Sequence, residues 1–237
     1  MNDDMKEIKE FWDEFADEYT QIQAESQIAL VEDVAGTLLQ EQLLPCKSLL
    51  DLAGGSGKFI AGLISHVKNY TLLDISTKML SLAKKKYSND NLTLLHQAQQ
   101  SFFKECPTNC YDIVFSAMNP ALDSPLQLSE SLRIAKDKLC VLQMVEKKDN
   151  LFTSLEKEPL QGDWMEQYKK WLNSPYTSYL FCYQTQEEIS LTFFHDYFYN
   201  DLPEKVLEEK IKKFFQEKKS VLNYTSYCFE LLIIDAK

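Results

Sequence analysis

Between residues 48 and 146 five short apolar runs recur: "SLLDLA" at 48–53, "YTLLDI" at 70–75, "LTLLHQA" at 92–98, "YDIVFSA" at 111–117 and "KLCVLQMVE" at 138–146. Each has the length of a strand and is bounded by turn or polar residues. Between the first three lie segments with helical spacing. "GKFIAGLISHV" follows a cluster of glycines, and "STKMLSLAKKKY" opens on Ser76, a good N-cap, with apolar Met79, Leu80, Leu82 and Ala83 on its path. Strands that are apolar throughout and alternate with helices imply a parallel sheet covered on both faces. Right-handed crossovers then make it a doubly wound α/β sheet.

The flanks are simpler. "EIKEFWDEFADEYTQIQ" repeats its apolar residues every three or four positions, so the chain opens with a helix, and a second helical pattern runs from about Gln27 to Leu44, stopping near Pro45. After residue 147 aromatics crowd in. "TSYLFCYQ" and "EISLTFFHDYFY" read as strands that can pair as a hairpin; "PEKVLEEKIKKFFQEKK" reads as a charged helix and "YTSYCFELLIIDA" as a final strand. The expected organisation is a single domain over 1–237. Residues 1–45 supply N-terminal helices, 46–146 a ligand-binding core, and 147–237 complete the sheet and cap the site.

A sheet of this kind binds its ligand outside the carboxyl ends of its strands. The stretch "SLLDLAGGSGKFI", from Ser48 to Ile60, sits at such an end. A phosphate loop requires G-x-x-x-x-G-K-[ST], but Leu52 stands where the first glycine belongs and Phe59 where the hydroxyl belongs. A dinucleotide fingerprint, G-x-G-x-x-G, would need its third small residue at Lys58, whereas Gly57 comes one place early. What remains is D-x-G-x-G-x-G, carried by Asp51, Ala53, Gly55 and Gly57 with Ala53 in the first glycine's place. A second acid, Asp74, ends the next strand 74 − 51 = 23 residues on, about one βα unit, so both carboxylates reach the same edge.

These residues resemble the motifs of the class I S-adenosylmethionine-dependent methyltransferases. "HQAQQSFF" stands where the family has its third-strand motif, with Gln97 in place of the frequent acid, "YDIVFSAMNPAL" resembles the fourth-strand motif, and "FWDEFADEYT" resembles a segment ahead of the fold in many small-molecule methyltransferases. The resemblance implies a Rossmann-like, mainly parallel seven-stranded sheet with an antiparallel C-terminal strand and an aromatic-rich lid. It also implies S-adenosylmethionine as cofactor and S-adenosylhomocysteine as product. Its cofactor positions map onto Tyr19, Asp51, Ala53, Gly54, Gly55, Gly57, Asp74, Ile75, Met79, Gln97, Ala98 and Ala117. In that mapping Asp51 suits the ligand's ammonium group, Asp74 takes both ribose hydroxyls, Ile75 and Met79 pack the adenine faces, and Gln97 accepts from the adenine amino group.

Methyl transfer from a sulfonium needs alignment and exclusion of water more than acid–base groups. No catalytic triad is legible, and no catalytic residue is assigned. Substrate candidates are Asn119, where the fourth strand opens, Trp164, which with Tyr168 and Trp171 also suits a core, and His195, beside Asp196 in an expected strand whose neighbours point to opposite faces. "MNPAL" departs from the N-P-P-[YF] motif of nitrogen methyltransferases, and the net charge of −11 argues against a nucleic-acid partner. The reading is a cytoplasmic methyltransferase for a small molecule, without a metal or a membrane partner. A non-catalytic binding protein on the same fold is the alternative, and aminopropyl transfer a more distant one. Neither the acceptor nor the oligomeric state is legible. The opening "MNDDMKEIKE" lacks the pattern of an export signal, so the six scattered cysteines are read as reduced thiols; "CPTNC" lacks the company of a zinc site.

Overall fold

The structure, a computed structural model, describes residues 3–25, 28–155 and 163–236. Its centre is a seven-stranded sheet of order β3-β2-β1-β4-β5-β7-β6. The strands are β1 (Cys46–Leu52), β2 (Val67–Asp74), β3 (Leu92–His96), β4 (Tyr111–Ala117), β5 (Ala135–Asp149), β6 (Tyr176–Ser190) and β7 (Ser220–Asp235). The five strands read from the apolar runs are the first five, and β1 to β5 pair in parallel. The C-terminal strands run antiparallel, as expected of the fold. Strand order reverses between β1 and β4, which opens a crevice at their carboxyl ends. Register brings the strand ends level there: Leu52 lies opposite Leu73, and Asp74 opposite His96. At the other edge Asp112 accepts the N–H groups of Lys47 (2.9 Å) and Ser48 (3.1 Å), fastening β4 to β1 away from that crevice.

The helices follow the sequence with two corrections. Helices α1 (Asp3–Glu25) and α2 (Leu30–Gln40) match the N-terminal periodicity, although Gln27 lies outside the described residues. After β1 only a single turn forms, α3 (Ile60–Leu63), followed by a 3₁₀ turn at Ile64–His66. The turn after β1 occupies residues 53 to 59, so Lys58, expected in a helix, belongs to that turn instead. Helix α4 (Thr77–Lys86) starts as read: Ser76 Oγ accepts the Met79 N–H at 3.0 Å, and three lysines fill the last turn, where cations suit the helix dipole. Helices α5 (Gln99–Glu105), α6 (Pro125–Ile134) and α7 (Trp164–Trp171) follow. The second correction is α8 (Leu191–Phe198), a helix where a strand was expected; Ser190 caps it, and Phe194 and Phe198, four apart, bury one face. The charged segment forms α9 (Glu204–Phe215) as read.

The chain divides into two compact units. One comprises residues 1–144, 163–181 and 229–237, the other 145–162 and 182–228. The first is organised on the sheet, where Leu50, Leu52, Val114, Leu139, Val141, Leu232 and Ile234 form a continuous buried cluster. The second holds its own core of Leu151, Phe152, Ile189, Phe194, Phe198, Leu207 and Phe215. The cysteine reading needs correction here. Cys182 and Cys228 are joined as a disulfide with Cα atoms 4.2 Å apart, because β6 and β7 are sheet neighbours and bring together residues 46 apart in sequence. Cys46, Cys106, Cys110 and Cys140 are free. No helix among the described residues is long and apolar enough to cross a membrane.

Candidate functional site

The loop after β1 is built by its backbone. Ala53 has φ 57°, a left-handed conformation that disfavours a residue with a Cβ. Gly54 has no room for a side chain: a Cβ there would lie 2.6 Å from Asp51 Cγ and 2.8 Å from Leu72 Cγ. Gly55 differs. Its φ is 58°, and a Cβ would meet only Met79 Sδ, at 3.9 Å, so its outer face is open. The loop is pinned by the Gly54 N–H to Leu73 O (3.1 Å) and the Gly57 N–H to Gly54 O (3.0 Å).

Two carboxylates flank this loop in unlike settings. Asp51 lies beneath it, 1% exposed, and its Oδ2 accepts the Tyr70 hydroxyl at 2.8 Å. Burial pushes its carboxyl up to about 7, against the Tyr70 hydrogen bond, and the charge of Asp74 adds to the rise. Asp74 stands at the rim. Its Oδ2 accepts the Gly55 N–H at 2.9 Å and its Oδ1 the Ser76 N–H at 2.8 Å. Burial raises its pKa too, opposed by the N–H groups of Ser76, Gly55 and Ile75. Each Asp74 oxygen keeps acceptor capacity beyond these bonds, since a carboxylate has about four lone-pair sites.

The other candidates lie on the first turn of α4, at the ends of β2, β3 and β4, and on α1. Met79 is buried on the first turn of α4, and half-buried Ile75 offers its carbonyl to His96 Nε2 at 2.9 Å. Gln97 follows β3; its N–H reaches Asp74 O (3.1 Å) and its Nε2 reaches Glu105 Oε2 (3.1 Å), which leaves Oε1 without a partner among the described residues. Ala98 is the N-cap of α5 and Ala117 the last residue of β4. Tyr19 of α1 is half-buried. Burial raises its phenol, opposed by a hydrogen bond to Gln23, and the Asp74 charge raises it further, so the two groups feel each other.

The substrate candidates lie in different settings. Asn119 is buried and internally satisfied: Nδ2 donates to Gln99 Oε1 (2.8 Å) and Ser116 Oγ (3.1 Å), and Oδ1 accepts the Ala121 N–H (2.9 Å). Trp164 stacks on Tyr168 at 6.1 Å and packs against the sheet core, while Tyr168 donates to Leu122 O at 2.8 Å. His195 sits on α8 in the second unit, its Nδ1 3.0 Å from Asp196 Oδ1. The expectation that the pair point to opposite faces of a strand therefore fails, because the backbone there is helical. Lys58 is half-buried and lacks an ion pair among the described residues; burial lowers the pKa of its ammonium.

Three residues escaped the sequence reading. Tyr70 pairs with Asp51 only once β1 and β2 are in register, with Leu49 opposite Tyr70. Ser76 was read as a cap but also binds Asp74. Asp13 reaches the start of α4 from α1; its placement four residues from both Lys9 and Asp17 on one helix face was the available signal.

A family model described as a methyltransferase domain matches residues 49–138, from β1 into β5. No curated protein matches the sequence. Among solved structures, magnesium protoporphyrin IX methyltransferase of Synechocystis PCC 6803, solved with bound S-adenosylmethionine, gives a TM-score of 0.56 at 13% identity over 99% of this chain and 98% of that one. A Bacillus halodurans C-125 protein, provisionally described as a methyltransferase, gives 0.56 at 15% identity over 84% of this chain and 97% of that one. The YcgJ protein of Bacillus subtilis gives 0.52 at 12% identity over 86% and 98%. At such identities the likeness is one of fold.

Proposed function

Because the chain has the class I S-adenosylmethionine-dependent methyltransferase fold, we propose that it binds S-adenosylmethionine at the rim of β1, β2 and β3 and transfers its methyl group to a small-molecule acceptor. The observation that carries this reading is Asp74, fixed by the N–H groups of Gly55 and Ser76 beside the open face of Gly55. A carboxylate so held is preorganised to accept a pair of ribose hydroxyls. Gln97 Oε1, without a partner among the described residues, would accept from the adenine amino group, and Ile75 and Met79 would pack the base. Gly55 would leave space for the methionine portion, with Tyr19 over it. Asp51, buried under the loop, would meet the ammonium group through the loop or a water. When bound, the cofactor supplies a methyl group on a sulfonium, a very good leaving group. The chain's contribution is then orientation and exclusion of water. The net charge of −11 favours neutral or cationic acceptors.

A second reading, cofactor binding without transfer, is favoured by Asn119, whose amide is consumed inside the fold. One experiment addresses both. Calorimetry with S-adenosylmethionine and S-adenosylhomocysteine is expected to show binding of each, and a labelled methyl donor should pass label to a member of a small-molecule acceptor panel. Absence of binding by both ligands refutes the proposal; binding with no transfer to any acceptor supports the second reading.

A further inference from the structure

Asp13 of helix α1 reaches the turn that carries Asp74 and the start of α4. Asp13 Oδ1 accepts the Ser76 hydroxyl at 2.6 Å and the Lys78 N–H at 3.0 Å, and the Thr77 hydroxyl lies 3.3 Å from Oδ2. Lys9, one turn earlier, pairs with the same carboxylate, and Lys78 Nζ returns to Asp17 at 3.0 Å. Burial alone would raise the Asp13 pKa. The hydrogen bonds from Lys9, Ser76 and Lys78, with the Lys9 charge, outweigh it and hold the carboxyl at about 2. Asp13 is therefore ionised throughout the neutral range.

Ser76 is what makes this more than helix docking. It is fully buried, and its N–H and hydroxyl make three bonds at once: the N–H goes to Asp74, the hydroxyl proton to Asp13, and Oγ accepts from Met79 N–H. The residue that orients the proposed ribose-binding acid is thus itself oriented from α1. Six residues on, the same helix carries Tyr19, whose phenol feels the Asp74 charge. Trp12, Phe15 and Tyr19 form a ring cluster, with Trp12 and Tyr19 centroids 5.7 Å apart, and Ala16 is fully buried.

Resting on the cofactor reading above, we infer that Asp13 is a positioning residue that clasps α1 to the first turn of α4 through Ser76, so that release of bound cofactor requires the clasp to open. Asp13 touches no reacting atom. Its removal should act on dissociation far more than on association, because the pocket's own contacts survive.

The test uses the full chain, with stopped-flow binding of S-adenosylhomocysteine and hydrogen exchange over residues 5–23. Losing charge-assisted hydrogen bonds predicts that Asp13→Ala speeds dissociation roughly 10- to 100-fold, with association changed less than about 3-fold. Exchange over α1 should accelerate in the same variant without ligand. Asp13→Asn, which can still accept from Ser76 and Lys78 but cannot pair with Lys9, should fall between. The inference is overturned if Asp13→Ala accelerates exchange over α1 yet leaves dissociation unchanged, since α1 would then be docked without governing release. It is equally overturned if association and dissociation change so that only association carries the loss. If the wild-type chain binds no S-adenosylhomocysteine, the cofactor reading fails first and the coupling falls with it. Unchanged α1 exchange in ligand-free Asp13→Ala would instead refute the clasp alone.

Discussion

Beneath the glycine loop and at its rim stand two buried aspartates that end neighbouring parallel strands, and their surroundings give them opposite work. Asp51 faces a single phenol and is sealed by Gly54. Asp74 faces two backbone N–H groups beside an open glycine face. The strand ends explain the difference. Asp51 is one residue short of the end of β1, so the loop folds over it, whereas Asp74 is the last residue of β2 and its carboxylate meets the turn itself. Burial pushes both acids toward the protonated form; at Asp51 one neutral donor opposes that push, and at Asp74 oriented N–H donors oppose it without cancelling it.

The largest effect that sharpens this contrast concerns stability and pH. The Asp51 carboxyl is raised from its ordinary 3.8 to about 7, so folding takes up a proton between those values. Its contribution is then full below about pH 4, declines as pH rises toward 7, and is lost above. At ~1.4 kcal/mol per pH unit this amounts to about 4 kcal/mol. Denaturant titrations from pH 4 to 8 should show Asp51→Asn removing most of that slope; an unchanged slope would mean that the acid is not held neutral.

Next in size is ligand binding. Losing a carboxylate that receives ribose hydroxyls costs about 2–4 kcal/mol, so Asp74→Ala should weaken S-adenosylhomocysteine roughly 30- to 1,000-fold in calorimetry. Asp51→Asn should cost less than about 3-fold. Equal losses would erase the distinction between floor and rim. In the Asp51→Asn background, affinity should fall on acidification at a pH above the ordinary carboxylate range, because the Asp74 pKa is raised and its protonated form loses acceptor strength. Asp74→Asn should flatten that profile.

The smallest expected effect lies in the loop between the two acids. Ala53 holds a left-handed backbone, which costs a non-glycine residue about 1 kcal/mol. Ala53→Gly should raise stability by up to that amount in thermal unfolding, less the greater entropy of the unfolded chain. A loss of stability would indicate that the methyl group packs usefully.

What was legible in the sequence was local. The apolar runs announced β1 to β5, and the acids at 51 and 74 announced one sheet edge, because strand and turn chemistry lie within a few residues of each other. What was not legible depends on partners distant in sequence. Tyr70 becomes a partner of Asp51 only through the β1–β2 register, Cys182 meets Cys228 only because β6 lies beside β7, and Asp13 meets Ser76 across 63 residues. Helix α8 failed for a different reason. Its dense aromatics favour strands as a class, while the four-residue spacing of Phe194 and Phe198, which decides the matter, is masked by Phe193 and Tyr197 beside them.

The rim around Asp74 is the proposed seat of the cofactor. Hydrogen exchange with and without saturating S-adenosylhomocysteine tests it most directly, read over residues 53–58, 74–79 and 97–99. Protection of all three segments together is the predicted result, since they are the ends of β1, β2 and β3. Unchanged exchange in these segments, or protection confined to other parts of the chain, would rule out cofactor binding at this rim.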